Sequence, residues 1–69
     1  MTIDELREHY RQRFCQLYHE ADDGEGRVGF WHPKLGAWEW YELDEDDAVR
    51  QTGSTQELEA GAHIVRKGY

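Results

Sequence analysis

The chain is short of several things that small proteins rely on. Of its 69 residues one is cysteine and one is proline. Cys15 alone cannot close an intramolecular disulfide, which excludes the stapled frameworks of small secreted domains and fits a reducing compartment. No stretch approaches the roughly 20 apolar residues that a membrane-spanning helix needs. The first residues are charged by Asp4 and lack the apolar core of a signal peptide. These absences predict a cytoplasmic protein. Bases are scarce where acids are dense, since residues 20–47 hold only Arg27 and Lys34. A duplex requires Lys and Arg to replace its counterions. Arg7, Arg11 and Arg13 are interleaved with Asp4, Glu5 and Glu8 and form no clean basic face. Direct binding to DNA or anionic lipid is therefore not expected.

What the chain does have is localised negative charge. Residues 20–47 carry ten acids against two bases, while residues 1–19 balance and residues 48–69 sum to +1, so the net −7 lies in the middle. The acids are Glu20, Asp22, Asp23 and Glu25 in one cluster, and Glu39, Glu42, Asp44, Glu45, Asp46 and Asp47 in a second. Trp31, Trp38, Trp40 and Tyr41 lie in the same stretch. Such a field acts over a Debye length, about 8–10 Å at ordinary salt, and attracts a basic partner. Tryptophans left outside the core would add anchoring contact. The ten acids with Trp31, Trp38 and Trp40 are the candidate partner-binding residues, and whether the two clusters form one surface depends on the fold.

A chain of this length buries only about 60% of the surface its unfolded form exposes, leaving little room for a deep catalytic cavity beside a core. Its nine aromatic residues nevertheless favour a folded domain over disorder. Thr2 and Glu5 have capping-box spacing, and Ile3, Leu6, Tyr10, Phe14, Leu17, Tyr18 and Ala21 recur at steps of three and four. This pattern predicts a helix from residue 3 to about 22, closed by Gly24 as a left-handed cap. Residues 27–32 and 37–43 predict a hairpin turning through Pro33-Lys34-Leu35-Gly36. Val28, Phe30 and His32 share one face, as do Trp38 and Trp40, with Ala37, Tyr41 and Leu43 on the reverse of the second strand. The acidic run 44–47 would open a short helix stopped by Gly53. Ser54 with Glu57 would cap another turn ending at Gly61, and residues 62–67 would form a third strand. The expected architecture is a single α+β domain over residues 1–69: a long N-terminal helix packed on a three-stranded antiparallel sheet, with a short helical insertion before the last strand.

Other chemistries find weak footing. Neither 22–26 nor 44–47 supplies the ligand series of a calcium loop. Cys15 and His19 are four apart but make only two ligands, and His9, His32 and His63 have no paired spacing. Cys15 beside Phe14 reads as a small, partly buried apolar residue. No nucleophile–base signature or phosphate loop is present, so the expectation is a non-enzyme with no metal and no cofactor.

In overall character, as a very short, acidic, one-helix chain, the protein resembles small phage-encoded inhibitors of host defence, especially anti-CRISPR proteins. The resemblance rests on no shared motif. It implies an inhibitor in a bacterial host cell, binding the cationic nucleic-acid surface of a CRISPR effector complex as a possible DNA mimic, as monomer or homodimer. The alternative is a protein–protein interaction module or small homodimer whose acids only provide solubility.

Overall fold

Thr2 begins the helix as the sequence requires. In the computed structural model, which describes residues 1–68, its extended backbone and hydroxyl cap the N–H of Glu5, and the Glu5 carboxylate accepts from the Thr2 N–H at 2.9 Å. Helix α1 runs over Ile3–Phe14 and buries Ile3, Leu6, Tyr10 and Phe14. It stops eight residues earlier than the periodicity predicts. Cys15 turns to φ 48°, ψ −111°, its N–H still reaching the Arg11 carbonyl, and one 3-10 turn follows over Cys15–Leu17. The chain then extends as β1 (His19–Asp22). Tyr18 and Ala21 are buried as their spacing suggests, but Leu17, on the same expected stripe, is 56% exposed.

Strands β2 (Arg27–His32) and β3 (Ala37–Leu43) occupy the expected hairpin ranges. The acidic run does not start a helix. Asp44 Oδ1 accepts from the N–H groups of Asp46 and Ala48 at 2.8 and 3.0 Å, Asp47 turns to φ 60°, and the chain reverses into β4 (Val49–Thr55). Ser54 lies in that strand opposite Glu39, so it caps nothing. The Thr55 hydroxyl instead donates to the Glu57 carbonyl. The last strand, β5, is His63–Lys67. The expected long helix on a three-stranded sheet is thus replaced by a short helix and five antiparallel strands in the order β4-β3-β2-β1-β5.

Alternation gives the sheet two apolar faces. Val28 and Phe30 join Tyr18 and the helix residues in one core, flanked by Tyr41, Leu43 and Val49. Ala21, Trp38 and Trp40 form a second core on the reverse face, covered by Leu58 and Ala62 from the segment that crosses between β4 and β5. Trp40 is fully buried there. Its ring lies directly on Gly29, where an added Cβ would come within 2.7 Å of it, and its indole N–H donates to the Thr55 hydroxyl. Glycine in mid-strand is what lets this large ring close on the backbone.

Candidate functional site

Strand directions decide which acids meet. β1 and β3 run one way and β2 and β4 return, so the β1–β2 turn and the β3–β4 turn lie at the same end of the sheet. A shallow cleft lined by Asp23, Glu25, Gly26, Arg27, Glu42 and Leu43 joins them. Asp22, Asp23, Glu25, Glu42, Asp44, Glu45, Asp46 and Asp47 therefore share one end. The start of α1 is tied to it as well: the Ile3 N–H donates to the Asp47 carbonyl at 2.8 Å, the Val49 N–H donates to the Met1 carbonyl at 2.9 Å, and Thr2 bridges Ala48. This brings in Asp4, which pairs with Arg7 at 3.2 Å, and Glu5, the acid of the capping box. Only the contact between residues 1–3 and 47–49 reveals them, and no local signal encodes it.

The turns are ordered by their own carboxylates. Asp22 Oδ1 accepts from the Gly24 N–H at 2.8 Å, and Gly24 is left-handed (φ 78°) in this turn instead of at a helix end. Asp23 accepts from the N–H groups of Glu25 and Arg27 and pairs with the Arg27 guanidinium at 2.8 Å. Burial pushes its carboxyl up, but these donors outweigh burial and hold it below its ordinary value. Arg27 is shared with Glu59, and Arg50 pairs with Glu42 at 2.6 Å, so both guanidinium groups near these turns are already engaged. Glu25, Glu45, Asp46 and Asp47 are exposed and, among the described residues, in no ion pair.

Other candidates lie elsewhere. Glu20 is wholly buried on the helix side of β1, so it is no part of the exposed surface. Its carboxylate accepts from Arg7 Nε and Nη2 at 2.9 and 3.1 Å, from Arg66 Nη1 at 2.9 Å and from the Tyr18 hydroxyl at 2.5 Å. It fastens α1 and β5 to the middle of the sheet. Glu39 is half-buried on the same face, accepting from the Tyr10 hydroxyl and from Gln51. Trp38 and Trp40 belong to the second core and only Trp31 is half-exposed, near the far end of β2 from the acidic turns. The tryptophans and the acids are thus two regions, not the one surface that their closeness in sequence suggests.

Cys15 is exposed, not partly buried, and the helix that would have aligned it with His19 ends before either residue. Among the described residues no group of three or more His, Cys, Asp or Glu is placed to hold a metal ion, and no helix is long and apolar enough to cross a membrane. The chain matches no protein-family model, no curated protein and no solved structure.

Proposed function

We propose that this chain is a non-enzymatic acidic inhibitor whose carboxylate-rich sheet end docks on the cationic nucleic-acid-binding surface of a larger protein, with a bacterial CRISPR effector complex as the partner. The observation that carries the reading is the convergence of two acidic turns, distant in sequence, on one end of the sheet. Asp22, Glu25, Glu42 and Asp44 to Asp47 would stand in for phosphates. The Asx bonds of Asp22 and Asp44 hold the turns in one shape before binding, which lowers the ordering cost of association. Trp31 is too far from these turns to belong to the same contact and has no part in it.

The test is capture of effector complexes from nuclease-treated lysate by the native chain and by the variant Asp44→Asn, Glu45→Gln, Asp46→Asn, Asp47→Asn. Asparagine can still accept the turn's backbone N–H groups at 44 and tolerates the left-handed backbone at 47, so the variant keeps the fold. Expected is capture by the native chain alone, lost at high salt and displaced by added duplex DNA. Equal capture by both proteins, or capture indifferent to DNA, would reject the mimic and favour an interaction module whose acids serve solubility.

A further inference from the structure

The opposite end of the molecule has the opposite character. Of the eight bases, Arg7, Arg27, Arg50 and Arg66 are in ion pairs; Arg11, Arg13, Lys34 and Lys67 are in none among the described residues. All four of these lie away from the acidic turns. Arg11 and Arg13 are in the last turn of α1, Lys34 is in the β2–β3 turn, and Lys67 ends β5. Arg11 and Lys67 line one hollow beside Cys15, and Lys67 stands opposite His19 in the β1–β5 ladder. Next to that pair, on the sheet face away from α1, His19, Trp31, Trp38 and Ile64 line an open apolar depression with no acid among its lining residues. Trp31 is half-exposed and Ile64 is 39% exposed, and Leu17 and Leu35 are exposed near the same end.

We infer that this depression is a docking site for a short acidic segment of another protein that carries one large apolar side chain. The apolar side chain lies against Trp31 between His19 and Ile64, and flanking carboxylates meet Lys67 and Lys34. Charge complementarity selects the sign of the partner: an apolar hollow with Lys67 beside His19 and Lys34 in the turn that follows β2, neither in an ion pair among the described residues, favours carboxylates and disfavours another basic protein. It also selects the size. The molecule is about 30 Å in its longest dimension, so a nucleic-acid strand of more than a few nucleotides would run from this end into the field of the acidic turns, whereas a short segment would not. A second copy brings its own charge of −7 and a head-to-tail contact that no two-fold axis closes. The site is independent of the acidic end and of the function proposed for it.

The probe is the peptide acetyl-Glu-Glu-Gly-Phe-Glu-Glu-amide, titrated into the full chain at low salt while backbone amide NMR shifts are followed. Expected are shifts concentrated at residues 19, 31, 38, 64 and 67, with affinity at least fivefold weaker in Lys67→Glu and in Trp31→Ala. Lys67 is exposed and, among the described residues, in no ion pair, so its replacement separates loss of the site from loss of the fold. Four results would each overturn the proposal: no shifts at those residues, equal binding of the matching Lys-for-Glu peptide, tighter binding of a short oligothymidylate, or concentration-dependent self-association that occupies the depression without peptide.

Discussion

Glu20 shows how far a residue's role can depart from its neighbourhood in sequence. It stands two positions before the acidic turn, yet it is buried beneath the helix and accepts from two guanidinium groups and a phenol. Replacing it by glutamine keeps the volume and removes the charge, turning an amide N–H toward donors that need an acceptor. A buried charge cluster broken on one side costs about 3–5 kcal/mol. Here the Arg7 and Arg66 side chains are 21% and 43% exposed and regain water, so the expected loss for Glu20→Gln is nearer 2–3 kcal/mol. Urea unfolding of the variant measures it through the midpoint at constant slope. A midpoint equal to that of the native chain would show that the node fixes geometry without contributing to stability. Because Arg66 is one of its partners, the same variant should loosen β5 first, seen as faster amide exchange at residues 63–67 than at 27–32.

At the level of elements, what could be read in the sequence was what is encoded locally. The helix start needs only Thr2 and Glu5, and the β2–β3 hairpin needs only alternating residues and the Pro33–Gly36 turn. β1 was hidden because Tyr18 and Ala21 fit a helical stripe as well as they fit burial on opposite faces of a strand. β4 was hidden because residues 50–54 are exposed and polar, so an edge strand shows no apolar alternation. The meeting of the acidic turns follows from β1 being a strand, so it could not be read without the fold. The event that converts helix to strand is the backbone of Cys15, a left-handed φ of 48° on a residue with a Cβ. Glycine adopts that region without the steric cost, so Cys15→Gly should stabilise the protein by about 1 kcal/mol, while Cys15→Ala should not. The side chain gives up little in either case, being exposed with, among the described residues, one hydrogen bond, the 3.7 Å contact to the Gln12 carbonyl. Thermal unfolding of the two variants side by side separates backbone strain from the thiol; equal midpoints would assign the stop to packing elsewhere in the chain.

For the molecule as a whole, the arrangement of charge sets the pH range over which it stays folded. Tyr10 stacks on Phe30 at 4.7 Å with its hydroxyl 3.0 Å from Glu39, and the Tyr18 hydroxyl donates to Glu20. Burial first, and then the neighbouring Tyr41 hydroxyl and the Glu39 carboxylate, push the Tyr10 phenol far above its ordinary value; burial and Glu20 do the same for Tyr18. Burial, helped by Glu39, raises Tyr41 as well. An acid whose folded value is raised keeps its proton where the unfolded chain has lost it. Its contribution is therefore complete below the unfolded value near 10 and disappears as pH rises above that. Asp23 works in the other direction: its lowered carboxyl contributes above about pH 4 and is lost as pH falls. Self-repulsion of a chain already at −7 adds to the alkaline loss. The expected result is one cooperative alkaline unfolding above about pH 10, in which tyrosinate absorbance from the core phenols appears together with loss of the near-ultraviolet tryptophan signal. Tyrosinate absorbance completed near pH 10 with the tryptophan signal intact would mean that these phenols ionise in the folded protein. The Glu39 and Glu20 contacts would then be open to solvent, and the sheet would not depend on the helix lying over them.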